Sequence, residues 1–316
     1  MASIKDIAKI AGVSISTVSY ALNGSNKVTE ETRQRIKKIA DDLKYVPNMA
    51  ARTLKRQRTN IIGVYVTDYR GSFYGELLDG IKRGLGYYDY DMIVCSGSRS
   101  HLFIPEKMID GAIILDSTFS TEEITQFADE DYNLVVLDRE LDYSSVPQVL
   151  LDNKGGATLA INQLVELGSQ KVFLITGPNG SYDNRQRLEA SVKELERFNM
   201  SYDVINGNFT EASGHQAAEF IFSKSPQVPV DIFAFNDEMA IGIYRYLKDK
   251  PYVIGRDVRI VGFDNIEIGE FLEPKLTTIS YSKHRWGIIA AEKMIRLVSN
   301  EQAEDELIYT SLVERE

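Results

Sequence analysis

The sequence predicts a small all-α headpiece of helix-turn-helix type, followed by an α/β core of two doubly wound lobes, each built on a parallel sheet. Three observations lead there. The first 58 residues carry twelve Lys and Arg against five Asp and Glu, whereas the remainder carries 24 against 41. Within that basic head, short apolar stripes at helical spacing are punctuated by glycine and by Ser or Thr caps. From Ile61 onward, near-continuous apolar runs alternate with amphipathic helical patterns, the signature of parallel sheets covered on both faces.

A chain of 316 residues is long enough for two or more units, each with its own core. Apolar residues make up 43% and charged residues 26%, ordinary for a soluble globular protein. The single cysteine, Cys95, excludes an internal disulfide framework and fits a reducing cytoplasm. The opening "MASIKDIAKIAG" alternates charged and apolar residues, unlike a secretory leader, and no apolar run is long enough to span a bilayer. A cytoplasmic location and no membrane partner are expected. The formal charge of −10 conceals a head of +7 and a remainder of −17. Such asymmetry points to a polyanion partner for the head alone. A solvated helical surface is the plainer alternative, and it weakens once the basic part forms a motif of its own.

In the head, Ile4, Ile7, Ala8 and Ala11 mark one face of a first helix. Gly12 follows, where a positive φ costs little. Ser14 is placed to cap a second helix whose inward face is Val18, Ala21 and Leu22. That leaves Ile15, Ser16, Ser19 and Tyr20 outward, too small and polar a set to be explained by packing. After Asn23-Gly24, Thr29 caps a third helix, and Glu30 and Glu31 complement its dipole. Ile36, Ile39, Ala40 and Leu43 carry its stripe until Pro47 stops it. Two short helices around a glycine turn, braced by a third, make a helix-turn-helix, whose second helix fits the major groove of DNA. A protein-binding module could use the same three helices; the charge asymmetry and the outward hydroxyls favour DNA.

Beyond Pro47, Asn48 is placed to cap a helix over residues 49–56, about two turns and too short to be stable alone in water. It is expected to be disordered in the free protein and to fold against a partner. Arg52, Lys55, Arg56 and Arg58 would meet phosphates. Leu54, an apolar side chain with no core in reach, suits a wedge between base steps in the minor groove. A plain flexible linker is the competing reading.

The stretch "IKDIAKIAGVSISTVSYALNGSNKVTEETRQRIKKIADDLKYVPNMAARTLK" resembles the headpiece and hinge of the lactose-repressor (LacI/GalR) family. The patterns D-I-A-x-x-A-G-V-S-x-x-T-V-S and Y-x-P-N-x-x-A-R-x-L carry the resemblance. It implies that Ile15, Ser16 and Tyr20 read base edges, and that Leu54 of two paired hinges pries open a central base step. Ala50, Ala51 and Arg52 would lie along the minor groove. The candidate DNA-binding residues are thus Ser14, Ile15, Ser16, Thr17, Ser19 and Tyr20, with Asn48, Ala50, Ala51, Arg52, Leu54 and Lys55 of the hinge. Their partner would be a near-palindromic double-stranded operator.

In the body, "IIGVYV", "MIVCS", "GAIILD", "LVVLD", "KVFLIT", "DIFAFND" and "RIVGFDN" read as strands. Helical patterns lie between them over Phe73–Tyr87, Gly155–Leu167, Arg185–Phe198, Ser213–Phe222 and Trp286–Val298. "LDNKGG" at 151–156 and "TISYSKH" at 278–284 are candidate crossings between lobes. Ligands of open α/β sheets sit beyond the C-terminal strand ends. Asp68, Tyr69, Arg70, Phe73 and Tyr74 follow the first strand, and Asn184, Arg185 and Arg187 follow the fifth. Asn236 and Asp237 follow "DIFAF", and Asp264 follows "RIVGF". Aromatic faces with Arg, Asn and Asp suit a hydroxyl-rich ring. Any one of these residues could instead be a cap or a surface residue, and Asp237 is expected to cap "EMAIGIY".

The body also resembles that family, whose regulatory core is like a periplasmic sugar-binding protein. "SFYGELLDGIKRGL", "DNRQRLEAS", "FNDEMAIG" and "VRIVGFDNIEIGEFLEPKLTTI" match its usual blocks. Carried over, Phe73 and Tyr74 flank a ligand, Arg187 clamps it, Phe209 stacks, and Asn236 and Asp264 hydrogen-bond it. With Asp68 and Asn184 these are the candidate effector-binding residues. The chain departs from the family at "SRSHLFIPEK", shorter than usual, which implies a truncated helix in the first lobe. Ser169-Gln170 replaces a common His-Arg or His-Lys and reads as a surface change. There is no heptad tail of the kind that makes tetramers, so a homodimer is expected.

These readings place a headpiece at residues 1–46, a hinge at 47–58 and a periplasmic-binding-protein-like core at 59–316. Within the core, one lobe spans about 59–152 and 281–309 and the other about 153–280 and 310–316. An enzyme is not expected. No G-x-G-x-x-G, Walker A or H-E-x-x-H pattern is present, and His101, His215 and His284 lack metal-ligand spacing. Ser181 lacks a nucleophile-elbow pattern. No cofactor or metal is expected. A transport binding protein would share the core but not the basic head. The expected function is transcriptional repression of carbohydrate-metabolism genes, relieved by a sugar or sugar phosphate; co-repression by a ligand or phosphocarrier protein is the alternative.

Overall fold

Ser3 opens the first helix, α1 (Ile4–Ala11), with a reciprocal box: its hydroxyl accepts from the Asp6 N–H while the Asp6 carboxylate accepts from the Ser3 N–H. Gly12 ends that helix at φ 65°, a left-handed conformation in which a Cβ is penalised. Ser14 caps α2 (Ile15–Leu22) through the Thr17 N–H, and Thr29 caps α3 (Glu30–Asp42) through that of Thr32. Ile7, Val18, Ala21 and Ile36 are fully buried and knit the three helices together. The computed structural model describes residues 2–46, 58–69, 73–224 and 226–315, and separates a head unit (1–59) from a body (60–316).

The body begins with β1 (Ile61–Val66), α4 (Phe73–Gly86), β2 (Asp91–Cys95), β3 (Gly111–Leu115), α5 (Thr121–Asp129) and β4 (Leu134–Val136). The strands pair in parallel in the order β2-β1-β3-β4. The short "SRSHLFIPEK" stretch supplies only a 3₁₀ turn, Ser98–Phe103, anchored by His101 stacked on Phe119 at 3.5 Å. After β5 (Val149–Leu151) come α6 (Asn153–Glu166), β6 (Lys171–Thr176), α7 (Tyr182–Arg197), β7 (Ser201–Asn206) and α8 (Glu211–Phe222). Next are β8 (Val230–Ala234), α9 (Asp237–Leu247), β9 (Val258–Phe263) and β10 (Thr277–Ser280). The body closes with α10 (Lys283–Val298), β11 (Glu306–Ile308) and β12 (Ser311–Val313).

The second sheet runs β12-β10-β9-β8-β6-β7, parallel except for the edge strand β12, which lies antiparallel to β10. Strand β5 pairs with β11, and a bridge from Val136 to Gln148 continues the first sheet toward them. The returning helix α10 lies along α4 at very close range. A Cβ on Gly80 would stand 2.1 Å from the His284 carbonyl oxygen, so only glycine admits this approach. Trp286, buried in the same seam, donates its indole N–H to the Val149 carbonyl at 2.8 Å.

Each of the seven apolar runs forms a strand. The helices start up to three residues earlier than their apolar stripes, because Asp152, Ser181, Thr210 and Ser282 cap them upstream. Ser169 is not a surface residue: it is buried, and its hydroxyl accepts from Arg259 at 3.3 Å.

Candidate ligand and nucleic-acid sites

The head presents one outward face. On α2, Ile15 is 45% exposed and Ser14 and Ser16 are exposed, while Val18 and Ala21 are sealed. Ser19 and Tyr20 are half-buried at the edge, with the Lys27 ammonium 5.1 Å from the Tyr20 ring centre. Thr17 shares a 2.8 Å hydrogen bond with Ser14, so both hydroxyls serve the cap. Of the hinge candidates, Asn48, Ala50, Ala51, Arg52, Leu54 and Lys55 lie outside the described residues, as does Arg70 of the body.

In the body the strand-end candidates converge on Arg187. Only 4% exposed, it donates from Nε to Asn153 Oδ1 at 2.8 Å and from Nη1 to the Phe235 carbonyl. Its guanidinium lies 3.7 Å from the Phe263 ring centre and 5.7 Å from that of Phe209, and Nη2 stands 3.8 Å from Asp264 Oδ1. Asp264 follows β9 with φ at 105°, and Asn265 with φ at 49°. Backbone held in such regions costs about 1–3 kcal/mol and collects at functional sites. The turn is tied down from several sides: Asp264 N–H donates to Ile279, Tyr281 O–H donates to the Asp264 carboxylate at 2.9 Å, and Lys283 Nζ donates to the Asp264 carbonyl at 2.5 Å. Burial pushes the Asp183 and Asp264 carboxyls up, and the Arg187 guanidinium pulls both back.

An aromatic chain joins this cluster to the first lobe. Tyr281 packs on Trp286 at 6.0 Å, Trp286 on Phe73 at 6.2 Å, and Phe73 on Tyr74 at 5.0 Å. Burial, then the carboxylates of Asp68, Asp116, Asp183 and Asp138, pushes the Tyr74 phenol up to about 12. Asp183 belongs to the second lobe and the other three to the first, so the C-terminal strand ends of both sheets face one another here. A separate hollow of about 330 Å³, against Tyr244, Ile254, Arg259 and Pro274, shares none of these residues.

Two expected ligand contacts serve the scaffold. Asn184 accepts from the Gly177 N–H at 2.6 Å, and Asn236 accepts from Met239 N–H while donating to the Phe209 carbonyl at 3.0 Å. Asn236, not Asp237, is therefore the cap of α9, because it alone has the extended backbone of a cap. Asp237 turns inward: it accepts from the Thr278 hydroxyl at 2.6 Å and the Ile266 N–H at 2.9 Å, and burial, then the Asp264 carboxylate, pushes it up to about 8. Sequence reasoning missed Asn153, Asp183, Tyr281, Lys283 and Asp116. Asn153 and Asp183 hydrogen-bond each other at 2.6 Å. A signal existed for Asn153, Tyr281 and Lys283, polar groups placed at the two candidate crossings.

Residues 3–48 match the lacI family of bacterial regulatory proteins, and residues 161–316 match the periplasmic binding protein-like domain. The HTH-type transcriptional repressor PurR of Vibrio atlanticus (strain LGP32) is 31% identical, an alignment covering 100% of this chain and 98% of that protein. A sugar-binding transcriptional regulator of the LacI family from Enterococcus faecalis is 59% identical, over 82% of this chain and 98% of that structure, with a TM-score of 0.78. The lac repressor dimer bound to operator and the anti-inducer ONPF is 25% identical, over 99% and 98%, with a TM-score of 0.84. No helix among the described residues is long and apolar enough to cross a membrane. A basic helix-turn-helix head and a two-sheet body, aligned along their whole length with repressors, place the chain in the lacI family of bacterial regulatory proteins.

Proposed function

We propose that this regulator represses transcription by binding a near-palindromic operator as a homodimer, and that a small carbohydrate held between the two lobes of the body releases it. In this reading Ile15, Ser16 and Tyr20 meet base edges in the major groove, where an apolar side chain suits a thymine methyl and a hydroxyl suits either kind of base. Ser14, Thr17 and Ser19 flank them. Asn48, Ala50, Ala51, Arg52, Leu54 and Lys55 contact the minor groove and its phosphates. Arg187 and Asp264 hold adjacent ligand hydroxyls as donor and acceptor, with Asp68 at the facing strand end. Phe209, Phe73 and Tyr74 cover the apolar faces of the ring, while Asn184 and Asn236 fix the loops that present it. The observation that carries the sugar reading is Arg187 laid on Phe263 beside Asp264 at a strained strand end. The name of the 59% identical sugar-binding regulator supports it.

Only a ligand with different affinities for the DNA-competent and DNA-incompetent states can shift binding. The test is selection of duplexes from a random pool, followed by fluorescence anisotropy on the selected sequence with increasing sugar. A palindromic consensus whose affinity falls with one sugar is the expected result. Binding without sequence preference, or operator affinity that rises with sugar, would defeat the proposal as stated.

A further inference from the structure

We infer that the head reads its operator chiefly through a C5 methyl group in the major groove, that of thymine or of 5-methylcytosine, and that Ile15 is the residue that reads it. This deepens the DNA-binding reading above and rests on it.

The outward face of α2 lacks the side chains that tell bases apart most sharply. A helix-turn-helix meets base edges with the N-terminal residues of its second helix. The strongest such contacts are paired: Arg or Lys to guanine O6 and N7, Asn or Gln to adenine N6 and N7. The helix ISTVSYAL holds none of the four. Asn23, directly behind it, gives its amide to the Ser19 carbonyl at 2.7 Å and the Ser19 hydroxyl at 3.3 Å. Asn26 and Lys27 lie in the loop beyond the C-terminal end, away from the turn that enters the groove. Ser14 uses its hydroxyl for the cap, accepting from the Thr17 N–H at 3.1 Å. Ser16 and Tyr20 each offer a single hydroxyl, which donates or accepts and so suits several bases.

Ile15 is what remains. It is 45% exposed in the first turn of α2, between the exposed Ser14 and Ser16. The core of the head closes around Ile7, Val18, Ala21 and Ile36 without it. An exposed β-branched residue favours a helix less than alanine does, so the fold gains nothing from isoleucine there. Against duplex DNA it has a matching surface, the methyl group that thymine presents at C5. In 5-methylcytosine the same methyl stands in the same place, beside an amino donor instead of a carbonyl acceptor, and a serine hydroxyl meets either. The head's twelve Lys and Arg all lie outside α2. Attraction to phosphates and reading of bases therefore fall to different side chains.

The full-length protein is titrated by fluorescence anisotropy against the operator selected from a random pool. Each thymine of the half-site is replaced in turn, in both halves, by deoxyuridine, which lacks only the methyl. One position should weaken binding about 15-fold, roughly 4-fold for each methyl no longer buried. The salt slope there should not change, since no phosphate contact is lost. At the same position 5-methylcytosine should bind about 15-fold more tightly than cytosine. In Ile15→Ser, checked for folding by circular dichroism, the thymine and deoxyuridine duplexes should bind within about 2-fold of each other. If no deoxyuridine lowers the parent's affinity by more than about 2-fold, or if 5-methylcytosine binds no better than cytosine, the methyl rule is overturned and the operator reading stands. A deoxyuridine loss that persists undiminished in Ile15→Ser overturns the assignment to Ile15. A selection that yields no consensus overturns the DNA-binding reading itself.

Discussion

Replacing Asp237 by Asn should flatten the pH dependence of the body's stability. The carboxyl titrates near 3.8 when free but only at about 8 in the fold, because it is sealed from water and faces Asp264. The folded state therefore holds the proton more tightly than the unfolded state does. Stability is fully present below the unfolded value and is lost as pH climbs toward the folded one. One proton contributes ~1.4 kcal/mol per pH unit, so raising the pH from 5 to 8 should remove on the order of 3–4 kcal/mol. Asparagine keeps the shape: its carbonyl can accept from Ile266 N–H and its amide can donate to the Thr278 hydroxyl. Urea unfolding followed by tryptophan fluorescence is the assay, since Trp286 is the chain's one tryptophan and is buried in the body. Asp183 and Asp264, also pushed up, are present in both proteins, so the difference in slope reports Asp237 together with its coupling to Asp264. A variant that loses stability with pH as steeply as the parent would refute the reasoning.

Arg187→Ala removes the cation shared by two inward carboxylates, leaving Asp264 only Lys283, and should cost about 3–5 kcal/mol of body stability; operator affinity without sugar should persist while the sugar response disappears. If sugar still moves the DNA titration, the ligand assignment is wrong. Leu54→Ala should weaken operator binding at least ~10-fold, as loss of a minor-groove wedge would, with calorimetric sugar affinity unchanged; equal operator affinity would remove Leu54 from the interface. Operator affinity should also fall steeply with salt, the log–log slope gaining roughly −0.9 for each phosphate neutralised, and a flat profile would argue against the basic head as the DNA module.

The elements legible in the sequence were those whose stabilisation is local. Long apolar runs flanked by capped amphipathic helices announce themselves, and Ser14 and Thr29 marked their helices because capping is decided within four residues. Strand β7 escaped notice because it is an edge strand, largely exposed, with polar residues on both faces. Strands β5, β11 and β12 are three residues each, and their partners are distant: Leu150 aligns with Leu307, and Thr278 with Val313. No local pattern encodes such pairing. The site divides the same way. Arg187 and Asp264 stood out because charged residues after apolar strands have few structural uses. Which of two adjacent polar residues caps α9 depends on backbone angles, and so the cap fell to Asn236 rather than Asp237.

The polypeptide passes between the lobes three times, after β5, between β10 and α10, and between β11 and β12, and the first and third passages touch through Thr310 and Asp152. Neither lobe is therefore a contiguous stretch of gene. A nascent chain emerging from the ribosome holds most of the first sheet long before it can cover that sheet with α10, and it completes the second sheet's edge only when residues 311–313 appear. Translation halted before Lys283 would leave the α4 glycine seam open to water, so cutting the reading frame short cannot yield a free-standing sensor.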